Sequence, residues 1–373
     1  MAERRPAALV VGGGVAGLSV AVALSDAFAV SLVDAGGANA STVAAGMLAP
    51  VAEMLGDPLS PPYPLLSDAR RLWPAWAESF GAGGALHSCG TLWLGEAAPG
   101  LEDDIRLEKV DAVRAAALQP SALIQTGGVF AAEDARVDVG AFTRALHRRL
   151  RASGVVVRRS QVTCGENGGL QVEGMAATFA VVVLAPGADA GALAAAAPEL
   201  EALSPVKGQR IRFSSEAGCA TGAMVRSVDG YLAPSGEGAV FGASMAVGVR
   251  DCAVDPDLAE RQARAAVSLC PALDGMPWTA AAAVRAATAD GLPMVGPSAS
   301  GVLLACGFRR NGWLLAPLAA GMIRAWATGG DPGAWAGALH PGRFAYSRPK
   351  TIGMRTAAPP TACPSSVRGC MRK

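Results

Sequence analysis

The chain has 373 residues, 51% of them hydrophobic, and its 32 basic and 31 acidic residues leave a net charge of +1. That length supports two domains of ordinary size around a sizeable core. The near-neutral balance gives no electrostatic reason to expect a nucleic-acid or membrane-surface partner, so a small molecule is the default ligand.

In chain order, Ala7–Val11 is a short continuous apolar run, the pattern of a strand buried in a parallel sheet. Arg4 and Arg5 before it imitate a secretion signal, but the run breaks at three glycines with no small-residue cleavage site after it, so it reads as a first strand. Val15–Leu24 is an alanine-rich helix and Val30–Val33 a second strand ending at Asp34, which completes a β-α-β unit. Ala38–Met47 is small and polar, a predicted loop, and Pro58–Pro64 is too rich in proline for regular structure. Ser67–Phe80 is a predicted helix, and Thr91–Leu94 has strand character. Asp138–Ser153 is an amphipathic helix with Arg144, His147, Arg148, Arg149 and Arg151 on its wet side. Val155–Arg158 and Ala180–Ala185 suit returning strands of the first sheet. From Pro205 to Met245, short strands separated by glycine turns suggest an antiparallel sheet. Leu258–Leu269 is a helix, Val302–Ala305 one more strand, and Leu314–Thr328 a closing helix.

The expected fold class is therefore α/β. A Rossmann-like nucleotide-binding domain is assembled from 1–57, 140–200 and 285–345, and a substrate domain on a largely antiparallel sheet from 58–139 and 201–284. Residues 346–373 carry Pro359, Pro360 and Pro364 without periodicity and are expected to be a disordered tail. No apolar stretch reaches the roughly 20 residues a membrane span needs. The eight cysteines form no C-x-x-C pair and fit no zinc spacing, which suits reduced thiols in the cytoplasm. The sequence is compatible with a homo-oligomer but does not specify one.

Gly12-x-Gly14-x-x-Gly17 follows a strand and opens a helix. The first glycine permits the tight turn, the second lets the backbone approach a pyrophosphate, and the third lets helix and strand pack closely. The helix N-terminus adds free N–H groups and a positive dipole end. Asp34, 22 residues after Gly12, can accept hydrogen bonds from ribose hydroxyls. The loop alone does not distinguish FAD from NAD, because both share the ADP half.

Later segments narrow the choice. Gly12–Gly17 followed by the run Ser41-Thr42-Val43-Ala44-Ala45-Gly46-Met47-Leu48-Ala49-Pro50 and Glu53 resembles the D-amino-acid oxidase superfamily, and within it the glycine oxidases of thiamine-thiazole biosynthesis. The segments Pro205–Gln209, Arg285–Pro293 and Gly307–Pro317 agree, so the resemblance spans about 7–344. It implies noncovalent FAD. By its implication Val15, Ala16, Asp34 and Ala35 meet the ADP half, and Ser41, Ala45, Gly46 and Met47 lie along pyrophosphate and flavin. Val162 packs by the adenine, and Phe308, Arg309, Asn311, Gly312, Trp313 and Leu314 wrap the isoalloxazine.

An amino-acid carboxylate needs a fixed cation, and the planar fork of arginine matches it best. Arg285 sits in an apolar, alanine-rich stretch and Arg310 in a glycine turn. The resemblance aligns Arg310 with the carboxylate-binding arginine, Arg285 with a second arginine of the pocket, Tyr231 with a substrate-contacting tyrosine, and Met245 with an apolar wall position. Each has a plainer alternative: an arginine that caps or pairs with an acid such as Asp290, a core tyrosine, a packing methionine. Arg309 beside Arg310 leaves two registers, of which the Arg-Asn-Gly match favours Arg310.

No general base is required if the neutral amine places its α C–H over flavin N5, since hydride transfer then proceeds by positioning, with O₂ taking the electrons to give H₂O₂. His87, His147 and His340 do not cluster, so no metal site or His-dependent hydrolase is expected. The chain departs from the family pattern at Phe308, where a histidine is usual, at Ala286 after Arg285, and at Gly187-Ala188-Asp189-Ala190. The alternatives are a flavin amine oxidase with another substrate (sarcosine, a D-amino acid or a cyclic imino acid) and a weakly catalytic FAD-binding protein. An NAD(P)H-dependent reductase lacks the second glycine fingerprint it would need.

Overall fold

The computed structural model describes residues 5–95, 105, 107–165, 169–173, 178–214, 222–235 and 238–344. The tail expected from 346 onward lies outside the described residues. In chain order the first elements are β1 (Ala7–Val11), α1 (Val15–Leu24), β2 (Ala29–Asp34), α2 (Ala40–Val43), β3 (Met47–Leu48), α3 (Pro50–Gly56) and α4 (Tyr63–Ser79). They continue through β4 (Leu86–His87), β5 (Thr91–Trp93), β6 (Leu107–Val110), α5 (Ala112–Leu118), β7 (Gly128–Ala131), β8 (Ala135–Val137) and α6 (Val139–Ala152). Next come β9 (Val156–Arg159), β10 (Val162–Cys164), β11 (Leu170–Val172), β12 (Val181–Leu184), β13 (Ser204–Phe213), β14 (Met224–Ser227), β15 (Gly230–Ser235) and β16 (Gly238–Gly242). The last are β17 (Ala246–Val247), α7 (Pro256–Leu269), β18 (Trp278–Ala287), β19 (Met294–Pro297), β20 (Leu303–Cys306) and α8 (Gly312–Thr328).

Six strands form a sheet in the order β19-β20-β12-β1-β2-β9, parallel except at the β19–β20 edge. The apolar run of β1 is needed because both of its faces are covered. Ala8 and Val10 face a core shared with α1, α4, α6 and α8, while Leu9 and Val11 face the opposite core with Leu184, Leu193 and Leu304. Asp138 caps α6 by accepting from the Ala141 amide at 2.8 Å, which fixes where that amphipathic helix begins.

A nine-stranded sheet runs β17-β13-β16-β15-β14-β5-β7-β6, with β18 on the other side of β13. Its pairings are antiparallel except β14 with β5. Successive side chains alternate between faces. Ile211, Val225, Leu232 and Phe241 therefore share one face, packed on Ala259, Ala263 and Ala266 of α7. The other face carries the polar partners that line the cleft described below.

Two local expectations need correction, and one element has no counterpart in the sequence reading. The predicted loop over 38–47 contains the helical turn α2, whose amides at Ser41 and Thr42 are capped by the Asn39 side chain at 3.0 and 3.1 Å, and it ends in β3. The proline-rich stretch gives way to α4 already at Tyr63, because Pro64 in a first turn loses no hydrogen bond. Residues 278–287 form a ten-residue strand, held by full pairing with β13 despite an alanine content that disfavours strands.

Candidate active site

A cleft of about 330 Å³ runs from the β1–α1 turn to the polar face of the nine-stranded sheet. At its first end, Gly12 holds φ +113°, and a Cβ there would lie 2.1 Å from the Ala185 carbonyl oxygen. A Cβ on Gly17 would lie 1.9 Å from the Gly12 oxygen, so only glycine lets α1 sit this close to the turn. The Gly13 amide donates to Asp34 Oδ1 at 3.0 Å, and the Val15 amide to Ser41 Oγ at 2.9 Å. Gly12, Gly14, Val15, Ala16, Asp34, Ala35 and Ser41 all line the cleft.

Midway along it the wall is made of Ala44, Ala45, Gly46 and Met47 on one side and 307–310, 312 and 313 on the other. Gly46 has φ +77°, and a Cβ there would lie 2.2 Å from the Val137 oxygen. The Trp313 indole donates to the Ser41 carbonyl at 3.0 Å, tying the start of α8 to α2 across the cleft. A long cradle of small residues with a helix N-terminus and a carboxylate at one end fits the shape and charge of FAD. Four residues expected near the cofactor stand off the cleft wall. Gly17 packs under the turn, Leu314 is buried in the core, Asn311 is buried before α8, and Val162 packs against the core beneath the six-stranded sheet.

The far end is rich in arginine. Tyr231 on β15 is paired with Arg226 on β14 and with Gly242 on β16, which is in turn paired with Arg210 on β13. Arg285 on β18 pairs with Val206, two pleats along from Arg210 on the same face. Register thus gathers Arg226, Tyr231, Arg210 and Arg285 on one side of the sheet, and all four line the cleft together with Met245. Arg285 Nη1 lies 3.4 Å from the Ser244 carbonyl and 3.5 Å from Met245 Sδ. Burial pulls the Arg285 and Arg226 guanidiniums below their usual pKa; guanidinium nonetheless stays charged. Burial pushes the Tyr231 phenol up, against the opposing pull of Arg285, Arg210, Arg310 and Arg226.

The Gly307–Gly312 turn supplies two more arginines. Arg309 adopts φ +50°, donates its amide to the Ala286 carbonyl at 2.8 Å, and pairs with buried Asp57. Arg310 donates to Glu53 Oε2 from Nε at 2.9 Å and from Nη2 at 2.6 Å, with Asp57 3.6 Å away. Asp290, the acid weighed from sequence, is bound instead to Arg343 at 2.8 Å. Glu53 is held by α3, whose Val51 and Ala52 amides donate to Asp134 at 3.1 and 3.2 Å. Complete burial raises the Asp134 pKa to about 7, against the pull of those two amides.

The profile of the DAO family, FAD dependent oxidoreductase, matches residues 7–326. The chain belongs to this family. Relatives of this FAD-dependent oxidoreductase include the glycine oxidase of Geobacillus kaustophilus, 28% identical over 345 residues that cover 83% of this chain and 89% of that protein. A glycine oxidase of Pseudomonas putida is 30% identical over 194 residues, 50% of this chain and 51% of its own. The crystal structure of the Geobacillus glycine oxidase superposes with a TM-score of 0.79 at 24% identity, covering 90% of this chain and 98% of that one. That of iminodiacetate oxidase from Chelativorans sp. BNC1 gives 0.76 at 21% identity, with 90% and 98% coverage. FAD is the family's cofactor, and the relatives to which the chain is similar include glycine oxidases. Among the described residues no helix is long and apolar enough to cross a membrane.

Within this oxidoreductase, Arg210 and Arg226 are cleft residues that the sequence does not single out. Arg226 interrupts the buried run Met224-Val225, and a charged residue amid buried strand positions is the signal that could have found it. The partnership of Glu53 with Arg310 spans 257 residues and no local pattern announces it.

Proposed function

We propose that the chain oxidises glycine or a similarly small amine or amino acid to its imine, with O₂ as acceptor and H₂O₂ as product. The imine then hydrolyses to the oxo acid or feeds a thiazole-forming step of thiamine biosynthesis. FAD, when bound, supplies the two-electron acceptor that takes a hydride from the amine's α-carbon and returns the electrons to O₂. The chain's own part is placement. Arg285 and Arg310 hold the substrate carboxylate, the Tyr231 hydroxyl donates to it, and Met245 forms an apolar wall beside the α-carbon. Ala45, Gly46 and Met47 keep the cleft wall thin where a flat ring must lie. No side chain is asked to take a proton from carbon.

The observation that carries this reading is one continuous cleft joining the Gly12–Asp34 turn to a cluster of arginines around Tyr231. The similarity to a protein named iminodiacetate oxidase favours, as a second reading, an amine other than glycine. Anaerobic mixing of the FAD-loaded protein with glycine, sarcosine, D-alanine and L-proline tests both. Bleaching of the flavin band by glycine is expected; bleaching only by another amine selects the second reading. A flavin that no amine bleaches overturns the assignment as an oxidase of amines.

A further inference from the structure

The charges at the Tyr231 end do not balance, and the imbalance is specific. Arg309 is matched by Asp57 and Arg310 by Glu53; the Glu53 charge also reaches Arg226 and Arg285, but its ion pair is with Arg310. Arg210 Nε donates to the Val43 carbonyl at 2.6 Å, a neutral partner. Among the described residues, the hydrogen-bond partners of the Arg285 side chain are the Ser244 carbonyl and the Met245 sulfur. Arg226 is 9% exposed, lines the cleft, and its Nε is buried with no hydrogen-bond partner among the described residues. Its guanidinium lies 5.9 Å from the centre of the Tyr231 ring, a weak compensation beside a carboxylate.

The Arg226 and Arg285 guanidiniums also rest where a glycine leaves room. A Cβ on Gly56 would lie 2.7 Å from Arg226 Nη2, and one on Gly208 2.3 Å from Arg285 Nη1. Buried cations without counter-charge are costly, and a ligand that brings the missing anion recovers that cost. One carboxylate answers Arg285; it leaves Arg226 unanswered on the far side of Tyr231, one strand pair away.

We propose that Arg226 is the second anion subsite of this cleft, and that the preferred substrate is an amine carrying two carboxylates. One carboxylate sits at Arg285 and Tyr231 beside the reacting carbon, the other at Arg226. The inference rests on the amine-oxidase reading above and refines its substrate class. Glycine, with a single carboxylate, then binds weakly by comparison.

The test uses the FAD-loaded full chain and non-oxidisable probes: acetate against malonate, succinate and glutarate, which bracket the spacing between subsites. Binding is read from the perturbation of the flavin absorbance band. The best of the three dicarboxylates is expected to bind at least tenfold more tightly than acetate. In Arg226→Gln that ratio falls towards one, and Arg226→Lys keeps part of it. A wild-type ratio near one overturns the subsite and needs no variant to fold. A ratio that survives in Arg226→Gln overturns it as well. Failure of the oxidase reading is separable, because it is scored by bleaching with amines and not by these equilibria.

Discussion

The Arg310 guanidinium faces two carboxylates of its own chain, Glu53 at 2.6 and 2.9 Å and Asp57 at 3.6 Å. Its proposed role toward a substrate carboxylate therefore competes with, or builds on, an existing ion pair. Truncating one partner of a buried pair leaves the other charge stranded, at a cost of about 3–5 kcal/mol. Removing a charged bond to a bound carboxylate costs about 2–5 kcal/mol of binding. Arg310→Ala alone mixes the two effects. Adding Glu53→Gln removes the stranded charge. The expected outcome is that Arg310→Ala lowers kcat/KM at least thirtyfold and lowers Tm, and that the double variant recovers Tm but not kcat/KM. Steady-state H₂O₂ release and thermal melting check it. Recovery of both would make Arg310 the counter-ion of Glu53 and leave the carboxylate to Arg285.

At the scale of elements, α3 is placed by Asp134, which lies at the start of β8 and takes the first two free amides of the helix. The folded pKa of about 7 stands above the ordinary carboxylate value of 3.8. Between those values the folded chain keeps a proton that the unfolded chain has released. Stability contributed by this group therefore falls as pH rises from about 4 to about 7 and levels off above, by at most about 4 kcal/mol. Asp134→Asn keeps one acceptor and never ionises. Urea unfolding at pH 5 and pH 8 should show the variant gaining on the wild type at the higher pH. A difference independent of pH would remove the buried charge from the account. The same scale explains what was legible. The β1–α1 turn reads correctly from sequence because part of its glycine requirement is local: Gly12 needs φ +113°, and a Cβ on Gly17 would meet the Gly12 oxygen. β18 is not legible in Trp278–Ala287, since alanine is a weak strand former and only pairing with β13 makes it one. Arg210 and Arg226 escape notice for the same reason: their meeting at Tyr231 is a property of register across three pairings, which no stretch of sequence contains.

Over the whole molecule, the cleft is lined by Glu53 and by residues from 12–47, 185–189, 208–252 and 283–313, so it draws on both large sheets. A cofactor held there contacts surfaces that exist only when both sheets are formed, and it has no comparable site on the unfolded chain. Stabilisation then follows mass action: about 2.7 kcal/mol at a hundredfold excess of FAD over its Kd and about 4.1 at a thousandfold. With an unfolding entropy of roughly 2 cal/mol/K per residue, that raises Tm by roughly 3–5 °C for a chain of this length. The shift should grow with the logarithm of free FAD, because each tenfold step adds the same free energy. Gly17→Ala places a Cβ 1.9 Å from the Gly12 oxygen, which forces α1 away from the turn without touching the Arg285–Tyr231 end. Melting the stripped protein with graded FAD should give the logarithmic rise in the wild type and a flat line in Gly17→Ala. A flat line in the wild type would mean that the cleft is not where the two sheets are held together by FAD. A rise that persists in Gly17→Ala would move the cofactor's anchoring contacts from the turn to the 44–47 wall and the 307–313 loop.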